Sequence, residues 1–186
     1  MKKLLSVFLA GLMVLSLTAC GESAPKGEKL NMVVEAKGME EGTVYSADIY
    51  YEPVETVKVS SSYENRQEFL DEAQNIDIEF RLCSDSTYGN NKKKDESEEG
   101  YREFKVGEFD AYAYHYSDNC QKVYVFLDGS AESSEQARYM VITVAPYEKF
   151  GDLTGEMVFE MEYVQNIINS ITYNGLIAPG AEPEAE

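Results

Sequence analysis

Ile76, Ile78, Phe80 and Leu82 alternate strictly with Asp77, Glu79 and Arg81. Side chains along an extended strand point to opposite faces in turn. This stretch can therefore bury its apolar set only as a strand with one face in a core and the other facing polar surroundings. Similar signals recur along the chain. Residues 44–51 are rich in β-branched and aromatic side chains and are followed by Pro53, which reads as a strand and its stop. Residues 104–106 with 109–116, then 122–127, then 138–145 read as further strands. Ser117-Asp118-Asn119 and Asp128-Gly129-Ser130 supply turn chemistry between them. Leu30, Met32 and Val34, and Val57 with Val59, are weaker strand signals.

Two segments read as helices. Ser61-Ser62-Tyr63-Glu64 has capping-box spacing and predicts a helix over 66–74, with Phe69, Leu70 and Ala73 on its apolar side. Met157, Met161, Val164, Ile168 and Ile171 recur at spacings of four and three, the stripe of an amphipathic helix beginning near Thr154. Residues 84–100 have no period and dense charge, and are expected to form a loop. There Asp95, Glu96, Glu98 and Glu99 neutralise the Lys92-Lys93-Lys94 triplet. Consecutive strands with short turns predict an α+β fold, a largely antiparallel sheet of about five or six strands with a C-terminal helix packed on it.

The amino terminus carries a different signal. Lys2 and Lys3 precede an apolar run from Leu4 to Ala19, shorter than the roughly 18 residues of a membrane-spanning helix and suited to a secretory leader. The run ends Leu17-Thr18-Ala19-Cys20, which resembles the lipobox of bacterial lipoproteins. The resemblance implies cleavage after a signal peptide at 1–19 and lipidation of Cys20 with diacylglycerol and a fatty acid such as palmitate. It also implies attachment to the extracytoplasmic face of the cell membrane. Two or more acyl chains hold stably where one does not. The organisation expected is therefore a lipidated Cys20 with a short polar tether over 20–29, one globular domain over 30–176, and a disordered acidic tail over 177–186. The tether reaches about 30 Å at most when extended.

The order of elements over roughly 76–173, closing on Asn169-Ser170-Ile171, is similar to that of small PsbP-like domains. That likeness implies a last helix packed across an antiparallel sheet in a two- or three-layer sandwich. It implies no active site, because members of that group have unrelated binding and assembly roles.

Composition narrows function. The 16 Lys and Arg against 34 Asp and Glu give a net charge of −18, which argues against nucleic acid as a partner and against adsorption to anionic lipid through a basic face. A single His excludes His-rich metal sites. No EF-hand loop, phosphate-cradling glycine loop, dinucleotide fingerprint or nucleophile elbow is present in the sequence. No cofactor is expected.

Few side chains remain as site candidates. Cys83 and Cys120 form a possible disulfide in an exported domain, worth roughly 4 kcal/mol by loop entropy; the alternative is two reduced thiols. His115 is a possible general base or a structural strand histidine. Tyr112, Tyr114 and Tyr116 share one strand face and are the candidate binding face, an aromatic platform for an envelope protein or small ligand. Alternatively they cap a half-buried sheet with their hydroxyls in water. Ala111 and Ala113 on the other face leave room for a close-packed helix. The function expected is a non-catalytic binding or assembly module at the cell envelope; the alternative is an envelope enzyme.

Overall fold

The computed structural model describes residues 27–35, 42–129, 137–148 and 151–181. The leader, Cys20, most of the tether, Ser130 and the last residues of the tail lie outside the described residues. Two antiparallel sheets dominate. The larger has seven strands in the order β4-β5-β6-β10-β9-β8-β7. These are β4 (Lys58–Tyr63), β5 (Arg66–Asp71), β6 (Ile76–Asp85), β7 (Arg102–Val106), β8 (Phe109–Ser117), β9 (Cys120–Gly129) and β10 (Ala137–Pro146). The smaller sheet centres on β3 (Val44–Tyr51), flanked by β1 (Glu28–Lys29), β2 (Val33–Glu35) and β11 (Thr172–Ile177). Three short helices complete the described fold: α1 (Tyr88–Asp95), α2 (Gly155–Phe159) and α3 (Glu162–Asn169). The fold is thus mainly antiparallel β with a few helices, and its large sheet leaves β4 and β7 as edges instead of closing.

The alternation of β6 is realised as read. Ile76, Ile78, Phe80 and Leu82 are at most 1% exposed and face a core shared with Met140, Ile142 and Val144 of β10 and Val123 and Val125 of β9. The small sheet covers part of that face with Leu30, Met32, Ala47, Ile49 and Tyr51, and α2 and α3 add Val158, Phe159, Val164, Ile167 and Ile168. Tyr51, Phe69 and Phe80 bridge the layers edge-to-face at 5.1 and 5.5 Å. Each fully buried aliphatic or aromatic side chain contributes about 1.5–3 kcal/mol of transfer free energy. α2 lies on β8, β9 and β10. Gly155 allows this approach, since a Cβ there would sit 2.5 Å from the Gln121 amide nitrogen. Ala111 and Ala113 belong to this core. No helix among the described residues is long and apolar enough to cross a membrane.

Five expectations need correction. The helix predicted over 66–74 is β5 and its following turn, because pairing with β4 and β6 outweighs local propensity. The Ser61–Glu64 signal falls on the end of β4 and its turn, where the Asn65 side-chain amide donates to the Leu82 carbonyl at 3.1 Å. The loop predicted over 84–100 contains α1. The C-terminal helix is two, α2 and α3, broken around Glu160 and Met161, although Thr154 does cap α2 by accepting from the Met157 N–H at 3.2 Å. Ile177, expected in the tail, is the last residue of β11 on the edge of β3. Finally, the single sheet of five or six strands is a seven-stranded sheet with a second, smaller one beside it.

Candidate functional site

Strand alternation places Tyr112, Tyr114 and Tyr116 of β8 on the face of the large sheet opposite the main core. They do not form an open platform. Tyr112 is fully buried, Tyr114 is 6% exposed, and only Tyr116, at 59%, meets solvent. A second core forms on this face from Tyr88, Tyr112, Tyr114, Tyr124, Ala137 and Tyr139, with Cys83, Tyr101, Phe126 and Val141 against it. Tyr112 and Tyr124 stack at 4.8 Å with planes 3° apart, and Tyr124 continues the row to Tyr114 and Tyr139 at 6.2 Å. Tyr88 of α1 inserts beside this row, so the helix supplies part of the cover.

The hydroxyl ends of the rings are polar and need partners. Tyr112 donates to Oδ2 of Asp95 at 3.1 Å, a pair closed off from water. Tyr139 donates to Asp85 at 3.2 Å and lies 2.9 Å from the Thr87 hydroxyl. Burial pushes the phenols of Tyr88, Tyr112, Tyr114 and Tyr139 far up, so all four are neutral. Burial also raises the Asp95 carboxyl, against the hydrogen bond from Tyr112. Neither Tyr88 nor Asp95 stands out as a site residue in the sequence. Their spacing of seven residues puts them on one side of a two-turn helix, which is the signal available for them. The Lys92-Lys93-Lys94 run occupies the last turn of that helix, where cations suit the dipole. Lys92 reaches Glu103 of β7 at 3.0 Å.

The cysteines are not bridged. Both are free. Cys83 faces Tyr139 on β10, whereas Gln121, next to Cys120, faces Val144. That offset is about 17 Å along the sheet, well beyond the roughly 7 Å that a disulfide spans. Burial, with Asp85 adding to it, pushes the Cys83 thiol up to about 11, and burial raises that of Cys120. Neither thiol is activated as a nucleophile.

His115 donates its backbone N–H to the Glu99 carbonyl at 2.8 Å, and its ring lies over Gly100. A Cβ at Gly100 would come within 2.4 Å of that ring, and its φ of +68° is one that glycine adopts readily. Nε2 of His115 is 3.3 Å from Oε1 of Glu156 in α2. Beside it in register is Gln121, 1% exposed, whose Oε1 has no partner. This group can orient an imidazole, and it holds no thiolate or base-activated hydroxyl.

Two further features lie away from the tyrosines. Asp77 of β6 is pushed up to about 6 by burial and by the neighbouring carboxylates Glu68 and Glu79. Glu79 itself is neutralised by Arg66 at 3.1 Å and Arg81 at 3.0 Å. A surface cavity of about 480 Å³ lies between edge strand β4 and the β5–β6 turn, lined by Thr56, Lys58, Val59, Leu70, Asp71 and Ala73. Among the described residues, no group of three or more His, Cys, Asp or Glu side chains converges to hold a metal ion. Comparison with known protein families, with curated proteins and with solved structures finds no match to this chain.

Proposed function

We propose that this chain is an exported lipoprotein held at the extracytoplasmic face of the cell membrane by acylated Cys20. Its domain then serves as a non-catalytic binding or assembly module of the cell envelope. The observation that carries the reading is the Leu17-Thr18-Ala19-Cys20 sequence after a short positive and apolar leader. β1 begins at Glu28, so residues 21–27 leave about 25 Å of extended chain between the lipid and the fold. Glu28 pairs with Tyr51 on β3. The tether would join the domain at the β1–β3 end of the small sheet, so that end would lie within this reach of the lipid. The PsbP-like likeness is retained as part of this proposal. What supports it is that α3 adds Val164, Ile167 and Ile168 to the core and ends at Asn169, just before Ser170-Ile171.

The rival reading, an envelope enzyme, has one observation in its favour, the His115–Glu156 contact. Intact mass measurement of the membrane-extracted protein tests the first reading. A mass corresponding to cleavage before Cys20 plus diacylglyceryl and acyl groups supports it. An unmodified Cys20 thiol in the mature chain overturns it.

A further inference from the structure

The two edges of the large sheet are finished differently. β7 carries Arg102, Glu103 and Lys105; Arg102 pairs with Glu160, and Glu103 pairs with Lys92 of α1. Such charge blunts an edge against further pairing. β4 has little of it. Lys58 is its single charged residue, none of its six residues is buried, and Val59 and Tyr63 are 49% and 56% exposed. An edge strand also presents outward a row of backbone N–H and C=O groups that another strand can pair with.

The register of β4 limits what that strand can be. Side chains opposite one another in a ladder project from the same face. Val59 pairs with Phe69 and Ser62 with Gln67, both inward residues, so Val59 and Ser62 belong to the inner face. Lys58 pairs with Leu70 and Tyr63 with Arg66, which places both on the outer face. Residues 58 and 63 share a face only because the ladder shifts at Ser60, between Val59 and Ser61. The shift makes the strand self-complementary. Turned about a two-fold axis between Ser60 and Ser61, a second β4 lies antiparallel to the first. Val59 then stands against Ser62 and Lys58 against Tyr63, and both pairs match in face. A slip of one residue sets Lys58 against Ser62, an outer side chain against an inner one.

The chemistry agrees with the register. Arg66 stacks on the Tyr63 ring at 4.4 Å and steadies it on the outer face. More than half of that side chain remains open to the Lys58 ammonium of a second copy, a cation–π pair made twice by symmetry. Glu64, exposed and next to Tyr63, arrives beside the same lysine. Lys58 is also a wall of the 480 Å³ cavity, with Thr56, Val59 and Leu70, so the incoming tyrosine lies next to that space. No carboxylate stands on β4 itself, so in a chain of charge −18 this strand pairs without setting acid against acid. We propose that β4 is a self-association edge, through which a second copy of this chain joins in an antiparallel, two-fold symmetric dimer. The inference goes beyond the binding-module reading and does not depend on lipid attachment.

Val59→Cys with Ser62→Cys in one full-length chain tests it, in a non-ionic detergent with copper-phenanthroline as oxidant. Both positions are exposed, and Lys58 and Tyr63 stay in place. Opposite residues in an antiparallel ladder have Cα atoms about 4.5–5.5 Å apart, within disulfide reach. The expected product is a covalent dimer whose proteolytic peptides join position 59 of one copy to position 62 of the other. Ser60→Cys with Ser62→Cys is one residue out of register and should give about tenfold less dimer. Lys58→Glu added to the first pair should lower the yield about tenfold, because both copies of the Lys58–Tyr63 contact are lost at once. A chain that stays monomeric under oxidation overturns the proposal. Equal yields from the two cysteine pairs mark random collision and overturn it as well. In membranes from expressing cells, a bridge from these positions to a different protein in place of a second copy also overturns it. None of these results bears on acylation at Cys20.

Discussion

The Tyr112–Asp95 pair is the most informative place to perturb the fold, because it joins α1 to the sheet through a single buried hydrogen bond. Tyr112→Phe deletes the hydroxyl and keeps the ring, so the stack on Tyr124 at 4.8 Å survives. A buried hydrogen bond to a charged acceptor contributes about 1.5–3 kcal/mol, and the expected loss is ~2 kcal/mol. Asp95→Asn keeps an acceptor and removes the buried charge, so its expected change is within about 1 kcal/mol of wild type at neutral pH. In the Asp95→Asn background the same Tyr112→Phe change costs only ~1 kcal/mol, giving a coupling of ~1 kcal/mol in a double-mutant cycle. The pH dependence has a definite sign. The folded pKa of Asp95 lies above its unfolded value, with burial as the first cause. Its contribution is therefore greatest below about pH 4, near the unfolded value, and is lost as pH rises through the folded pKa. Urea unfolding followed by circular dichroism at pH 4 and pH 7.5 measures all four proteins. A Tyr112→Phe variant within about 0.5 kcal/mol of wild type, with additive double-mutant energies, refutes the reasoning.

Two other outcomes follow from the far face of the large sheet. The rise of the Asp77 carboxyl to about 6 corresponds to ~3 kcal/mol against the charged form, which solvent screening at this partly exposed site reduces to about 1–2 kcal/mol. Asp77→Asn should thus stabilise the protein by that amount at pH 8 and change nothing below about pH 4; equal stability of the two proteins at pH 8 sinks the assignment. With Cys20 acylated, the unfolded and unreduced chain should titrate two thiols, Cys83 and Cys120, and an unreactive pair would contradict the register of β9 and β10.

Much of the large sheet was legible because its inward positions are apolar, as in β6, β9 and β10. β5 was not, for a specific reason. Its buried positions are Gln67, Phe69 and Asp71, two of them polar, so the period of two vanishes from any hydrophobic pattern. Gln67 is inward because its Oε1 accepts from the backbone N–H of Asn31, between β1 and β2, at 3.2 Å, a partner 36 residues away that no local window contains. β11 escaped notice because Gly175 lies within a register shift opposite β3. The tyrosine face shows a different limit. Alternation correctly puts Tyr112, Tyr114 and Tyr116 on one side of β8 but carries no information about what covers them. The cover includes a helix whose apolar content is one tyrosine, and its remaining anchor is a carboxylate that reads as solvated in any charge count.

The account stands most directly on Cys20. Phase separation in a temperature-sensitive non-ionic detergent, applied to membranes from cells expressing the full-length chain, compares wild type with Cys20→Ala. The acyl chains are proposed as the sole membrane affinity, at about 0.8 kcal/mol per buried CH2. Wild type should enter the detergent phase and Cys20→Ala should remain in the aqueous phase. Equal partitioning of the two proteins contradicts the account.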